Sequence, residues 1–406
     1  MLPIDFIDNM HKEMGSEAEL LLRALESEPI TSIRLNSKLD VLTFACDTEE
    51  VPWHIDGYYL IERPAFTLDP LFHAGCYYVQ EASSMFIQQA LEQYVDTDSI
   101  VLDLCAAPGG KSTLISEYLG KDGLLLSNEV VRQRVFILSE NIQKWGNGNT
   151  VVTHNSAAEY GERCHHLFDC ILVDAPCSGE GMFRKLDEAQ EQWSEANVAM
   201  CAERQWEIFQ NAFEALKPGG VILYSTCTFN RSEDENILER AMELYGEGFE
   251  AVDEISVGEN WGVVVGQVGA FRTYRFFPHK LSGEGMFMAV ARKAGAVTKR
   301  RQLKSRRQII AAVDKRSAEE LGRWVREPEG MKFFAAGDML YGCRKEHYGD
   351  IEALSGVLSV IYSGVAMGQI FKNKLKPDGA LALYVGLNRD VVECREVGEE
   401  DVLKFL

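Results

Sequence analysis

The sequence predicts an α/β protein centred on a doubly wound, mostly parallel sheet, with small α/β domains on either side. Three observations carry this. From about residue 95, runs of strand length alternate with longer helical segments; the runs are largely apolar, as strands buried on both faces require; and the first of them passes through a Gly-rich turn into a helix. The chain of 406 residues, 46% hydrophobic and 25% charged, is large enough for a substantial core and for about two to three domains.

In chain order, residues 1–94 read as an N-terminal α/β domain. It has a helical start over 6–25, a strand at TSIRLN (31–36) and a turn-rich stretch marked by Pro52, Gly57, Pro64 and Pro70. Residues 95–293 hold the alternating segments. The expected strands are IVLDL (100–104), GLLLSN (123–128), TVVTH (150–154), DCILVDA (169–175), VILYST (221–226) and a final MFMAVARK (286–293). Between them, helices are expected through ISEYL, over RQRVFILSENIQKW, and before LKPGG. Residues 294–308 form a basic linker, and 309–406 a last accessory domain that ends in LALYVGL and a helical tail.

Composition narrows the function classes. No apolar run is long enough to span a bilayer, and the acidic start lacks the basic and apolar regions of a signal peptide, so a cytoplasmic location is expected. Ten scattered cysteines, without a C-x-x-C pair or a zinc-type His spacing, predict free thiols and no metal. The 41 basic and 62 acidic residues leave a net charge of −21, which alone argues against a polyanionic partner. Residues 292–307, with eight Lys or Arg and no acid, are the exception. They read either as a solvated linker or as an RNA-backbone contact.

VLDLCAAPGGKSTLISEYL has the order strand, Gly-rich turn, helix, which presents backbone N–H groups at the carboxyl edge of a strand. It is not a P-loop, because Cys105 stands where that motif needs its first glycine, and G-x-G-x-x-G is absent. The second strand ends in Glu129, about twenty residues on, where a carboxylate can accept from both ribose hydroxyls of an adenosine. With no pyrophosphate cradle, S-adenosylmethionine suits the loop better than NAD. A solvated helix-start residue is the competing reading of Glu129.

Asp174, Pro176 and Cys177 follow one apolar strand, and Cys227 follows the next. Single free cysteines are usually inert small hydrophobes. Two at adjacent strand ends, facing the same crevice as the cofactor loop, suit a reaction that needs thiols. Methylation at C5 of cytosine is one: the ring carbon becomes a good nucleophile only after a thiolate adds at C6, and the thiol must later be expelled. Asp174, within reach of Lys111, can hydrogen-bond the N3 and N4 edge of such a base.

CAAPGGK (105–111), DAPCSGEGMFRK (174–185) and LKPGGVILYSTCTFNRSEDEN (216–236) resemble the signature blocks of the Nol/Nop/Sun family of RNA (cytosine-5) methyltransferases, and the arrangement is similar to its bacterial RsmF-type 16S rRNA branch. SIRLN, GCYYVQEASSMF, FFPHKLSGEGMFMAVARK and LKPDGALAL extend the resemblance. It implies a Rossmann-like class I methyltransferase core, dependent on S-adenosylmethionine, and an RNA-binding N-terminal domain. It further implies that Cys227 attacks C6, that Cys177 assists release, and that Asp174 holds the base edge, with Pro176 and Lys111 also on the substrate. Cys105, Ala106, Ala107, Pro108, Gly109, Gly110, Lys111, Glu129, Arg134 and Asp174 would line the cofactor.

Two departures stand out. Where the family has an Asp for the adenine amino group, this chain has His154-Asn155-Ser156, so that contact falls to Asn155 or Ser156. Relatives of this branch continue into a PUA-like RNA-binding module, whereas this sequence stops at DVLKFL. The expected substrate is 16S rRNA, free or in the small ribosomal subunit, with tRNA as the alternative and the protein a monomer. The competing class is a non-catalytic RNA-binding assembly factor, which would have no use for both thiols.

Overall fold

The computed structural model describes residues 2–38, 47–296, 303, 308–372, 374–398, 401–402 and 404. The expected N-terminal helix is two helices, Ile4–Met14 and Ala18–Leu25, separated by a 3-10 turn at Gly15–Glu17. Gly15 causes the break: at φ 58° it caps the first helix in a conformation that other residues resist. Strands β1 (Thr31–Leu35), β2 (Thr48–Glu50), β3 (Gly57–Leu60) and β4 (Tyr77–Val79) follow, forming an antiparallel sheet in the order β2-β3-β1-β4.

The central sheet has ten strands. Its parallel part comprises β5 (Ile100–Asp103), β6 (Leu124–Asn128), β7 (Thr150–Thr153), β8 (Phe168–Asp174) and β9 (Leu216–Thr226). Every residue of β5, β6 and β7 is buried, which is why these segments read as unbroken apolar runs. Alternate residues serve opposite faces. Ile100, Leu102, Ile171 and Ile222 pack with the helices Glu195–Ala215 and Glu235–Tyr245, whereas Val101, Leu125, Leu172 and Leu223 pack with Ile87–Tyr94 and Gly110–Leu119. The strand expected at 221–226 starts earlier, at Leu216, because Leu216 pairs with Phe168 and a register shift near Cys170 accommodates the intervening Pro218 and Gly219.

Strands β10 (Phe249–Glu250), β11 (Val264–Val268), β12 (Phe271–Phe276) and β13 (Met286–Lys293) extend the sheet antiparallel beyond β9. At the C-terminus, β14 (Ala311–Ala312), β15 (Met331–Ala336), β16 (Met339–Arg344), β18 (Val365–Phe371) and β19 (Lys374–Pro377) form a five-stranded antiparallel sheet, but β17 (Val360–Ser363) leaves it and pairs with β7. The C-terminal region expected as a separate accessory domain therefore supplies the last strand of the central sheet. LALYVGL, near the expected end of that domain, begins in a short helix, Gly379–Leu383.

The order β11-β12-β13-β9-β8-β5-β6-β7-β17 places β5 between β6 and β8. The chain winds one way from β5 through β6 to β7 and then returns to the other side of β5 with β8 and β9. The carboxyl ends of β5 and β8 thus flank a topological switch point, where open sheets of this kind form their ligand crevice.

Of the eight cations in 292–307, Arg292 and Lys293 belong to β13 and are committed to carbonyl oxygens: Arg292 to Gly219, and the buried Lys293 to Phe213 and Leu216. They are not part of a free basic linker. The other six lie outside the described residues.

Candidate active site

The loop leaving β5 is fixed from several directions. Ala106 N–H donates to the Asn128 carbonyl at 2.8 Å, Arg134 Nη2 to the Ala107 carbonyl at 2.6 Å and Asn141 Nδ2 to the Pro108 carbonyl at 2.8 Å. Gly109 turns the chain at φ 117°, a conformation suited to glycine, and the helix starts at Gly110. Residues 105–111 thus form a cradle at the switch point, and Lys111, in the first turn of the helix, crosses it to reach Asp174 at the end of β8, 2.7 Å from Nζ to Oδ2. Burial alone would depress the Lys111 ammonium, but the charge and hydrogen bond of Asp174 outweigh it and raise its pKa. Ser225 Oγ donates to the other Asp174 oxygen at 2.8 Å.

Glu129, at the end of β6, is almost wholly buried. Its Oε1 accepts from Val131 N–H at 2.8 Å and its Oε2 lies 3.4 Å from Arg134 Nη1. Arg134 therefore braces both the Ala107 carbonyl and the carboxylate, as two residues serving one ligand would. Asp103, which sequence reasoning passed over as a strand residue, is fully buried below the cradle; Ser112 Oγ donates to its Oδ2 at 2.6 Å, whereas Oδ1 has no hydrogen-bond partner among the described residues. Burial pushes its carboxyl up to about 7, against the pull of Ser112. Burial, together with Asp103, Asp174 and Glu129, likewise raises the Cys105 thiol well above its usual range. A cradle with three carboxyl groups beside two cations, one of its buried oxygens without a hydrogen-bond partner among the described residues, suits a ligand bearing positive charge and hydroxyl groups. S-adenosylmethionine, with its sulfonium, ammonium and ribose, fits that description.

The two thiols meet. Cys177 Sγ, beyond β8, and Cys227 Sγ, beyond β9, are 3.2 Å apart. The hydrogen bond that the Cys177 thiol donates to Cys227, and then burial, raise the Cys177 pKa well above that of a free thiol.

Behind the thiols lies a set of buried polar groups that sequence reasoning missed. Glu233 accepts from Ser178 N–H at 2.9 Å, Gln205 Nε2 at 2.8 Å and Asn230 Nδ2 at 2.9 Å. Glu180 accepts from Trp193 Nε1 at 3.0 Å, Asn230 Nδ2 at 2.9 Å and Phe229 N–H at 2.7 Å. Gln205 Nε2 also holds the Pro176 carbonyl at 3.0 Å, and Gly181 N–H donates to the Cys227 carbonyl at 2.8 Å. The Cys177 and Cys227 loops are thereby tied to one another through fully buried carboxylates. The N-terminal helix closes the outer side, with Phe6 edge-on to Phe183 and Trp193 at 5.1 and 5.7 Å.

Asn155 and Ser156, expected near the adenine, have structural work. Asn155 Oδ1 accepts from Ser359 N–H at 3.0 Å, docking the approach to β17, and Ser156 caps the helix Ala157–Arg163 in a reciprocal capping box with Glu159. Neither side chain is brought to Cys177, Cys227 or Asp174 by any hydrogen bond among the described residues.

Known proteins resemble this chain over much of its length. A family model for the 16S rRNA methyltransferase RsmB/F matches residues 89–292, and one for the N-terminal domain of 16S rRNA methyltransferase RsmF matches 2–82. The ribosomal RNA small subunit methyltransferase F of Pectobacterium atrosepticum is 35% identical over 314 residues, 73% of this chain and 63% of that protein. Its counterpart in Shewanella woodyi is 32% identical over 345 residues, 80% of this chain and 71% of its own length. The chain thus spans less than two thirds of the Pectobacterium relative. Among solved structures, a methyltransferase homolog protein from Pyrococcus horikoshii superposes with TM-score 0.58 at 27% identity, over 70% of this chain and 93% of that one. The NSun6 from Pyrococcus horikoshii, solved with SFG, shares the fold with TM-score 0.62 at 20% identity, over 72% of this chain and 99% of its own.

Proposed function

The chain belongs to the RsmB/F family of 16S rRNA methyltransferases, and on that footing we propose that it methylates C5 of a cytosine in RNA, with small-subunit ribosomal RNA as the substrate and the cytoplasm as its place of work. The observation that carries the reading is the pair of sulfurs 3.2 Å apart beside the Lys111–Asp174 ion pair at the switch point. A non-catalytic RNA binder would have no use for a juxtaposed thiol pair.

S-adenosylmethionine, held by residues 105–111, Glu129 and Arg134, supplies an electrophilic methyl group when bound. The chain's own residues prepare the base. Cys227, as thiolate, forms a bond to C6 and opens the C5–C6 double bond, making C5 nucleophilic. Asp174 accepts from the exocyclic amine, and the Lys111 ammonium beside it offsets the negative charge that develops towards N3. Pro176, its carbonyl held by Gln205, borders the base. Once C5 is methylated, water takes the C5 proton, the electron pair of that C–H bond re-forms the C5–C6 double bond, and the Cys227 sulfur leaves as thiolate with the S–C6 pair, its departure assisted by a hydrogen bond from the neighbouring Cys177 thiol. Asn155 and Ser156 remain the candidates for the adenine end, through whatever hydrogen-bonding capacity their structural partners leave.

The test is methyl transfer from labelled S-adenosylmethionine to small-subunit RNA from cells lacking this protein, with bisulfite mapping of the product. A new bisulfite-resistant cytosine is the expected result. Methyl found on a base nitrogen or on ribose, or no transfer at all, would overturn the reading.

A further inference from the structure

Away from the thiols, the N-terminal sheet and the helix Arg132–Trp145 enclose a cavity of about 500 Å³, within the range of roughly 300–1,000 Å³ typical of small-ligand sites. Phe66, Phe72, Tyr77, Tyr78 and Trp145 line it, and two cations stand at its walls. Arg63, exposed, lies 5.4 Å from the Phe66 ring centre, and Lys144 lies 5.6 Å from that of Phe72. Phe66, Phe72 and Tyr77 are mutually 6.0–6.4 Å apart, ring centre to ring centre. The only acid paired with either cation among the described residues is the exposed Glu140, 2.8 Å from Lys144.

The cavity shares a wall with the cofactor loop. A Cβ at Gly110 would lie 3.3 Å from the Tyr78 ring, and Asn141, which also lines the cavity, donates to both the Pro108 carbonyl and, at 3.4 Å, the Tyr78 hydroxyl. A ligand here would stand one side chain away from the cradle at residues 105–111.

Flat apolar faces with cations beside them are the chemistry of unpaired nucleobases: rings stack on aromatic side chains and the flanking phosphates meet Lys or Arg. In a chain of net charge −21, Arg63 and Lys144 at one aromatic cavity complement a polyanion that the surface as a whole would repel. We propose that this cavity takes an unpaired base of the RNA substrate other than the target cytosine, stacked on Phe72 and its neighbours, with the adjoining phosphates at Arg63 and Lys144. This rests on the RNA reading above and adds a second point of attachment to it.

The experiment uses the full chain and small-subunit ribosomal RNA, naked and assembled, in two measurements. Ultraviolet crosslinking followed by peptide mapping should yield nucleotide adducts on Phe72, Tyr77 or Tyr78. Phe72→Ala and, separately, the exposed Arg63→Ala should weaken RNA binding, Phe72→Ala by about 5- to 150-fold, the range for losing one stacked base. S-adenosylmethionine affinity should stay at the wild-type value, which shows the fold intact. If RNA binds but all adducts lie elsewhere and both variants bind as wild type, the cavity proposal is overturned while the RNA reading stands. If wild-type protein binds neither form of the RNA, both fall together. A small metabolite retained in the cavity, with RNA affinity unaffected by Phe72→Ala, also overturns the proposal.

Discussion

The sulfurs of Cys177 and Cys227 stand 3.2 Å apart, each just beyond the carboxyl end of one of two adjacent parallel strands. At that distance the two thiols share a hydrogen bond, so replacing either one changes the surroundings of the other.

The order of labour between them is open to a direct assay. Cys227→Ala should abolish methylation and form no covalent complex with RNA, because the S–C6 bond never forms. Cys177→Ala should attack and methylate, then stall, leaving an enzyme–RNA band that survives a denaturing gel. A shifted band from Cys227→Ala with none from Cys177→Ala would falsify the assignment.

For Glu129, replacement by Ala should cost about 1.5–3 kcal/mol of S-adenosylmethionine affinity, the range for hydrogen bonds to a charged group. Calorimetric titration reads this directly. Unchanged affinity would leave Glu129 as a brace for Arg134 and the Val131 amide alone.

Asp103 gives a pH signature in stability. Its carboxyl is raised to about 7 in the fold, above the unfolded value near 4, so the folded state holds the proton more tightly. That advantage is full below about pH 4 and is lost as pH climbs towards 7. Asp103→Asn, which cannot ionise, should match wild type at low pH and gain on it by at most about 4 kcal/mol near neutrality. Thermal midpoints of the two proteins that run parallel from pH 4 to 8 would remove the argument.

Arg34 is buried with its guanidinium donating to Gln80 Oε1 at 2.8 Å and to Thr113 Oγ1 at 2.6 Å, and lying 4.3 Å from the Trp145 ring centre. It ties the N-terminal sheet to the helix that carries Lys111. Arg34→Met should destabilise the protein by at least about 1.5–3 kcal/mol, since it removes hydrogen bonds to a charged group and strands two buried acceptors. Urea unfolding would show the loss, and a variant as stable as wild type would mean that those acceptors find other partners.

Much of the centre was legible in the sequence because its strands are buried on both faces: IVLD, LLLSN and TVVT announce themselves by composition alone. The thiols and Asp174 were legible because the motifs place them at strand ends. Glu180 and Glu233 were not. A glutamate in a run such as NRSEDEN reads as solvated, and only the fold brings Ser178, Gln205, Asn230 and Trp193 round the two carboxylates. Arg34 was hidden in the same way, as a cation in a short strand whose partners are 46 and 79 residues away. The capping duty of Ser156 could have been read from the S-x-x-E spacing to Glu159, a signal outweighed by the position of the residue after a strand.

The pairing of β17 with β7 bears on how the chain can be cut. A fragment ending at residue 293 would keep both thiols, the cradle and the ion pair, yet β7 would lose the neighbour that covers it. A naked row of backbone donors and acceptors on an apolar strand is a template for another chain. Such a trimmed protein should self-associate on the β7 side, which would make covering that edge of the central sheet against aggregation one task of the C-terminal region.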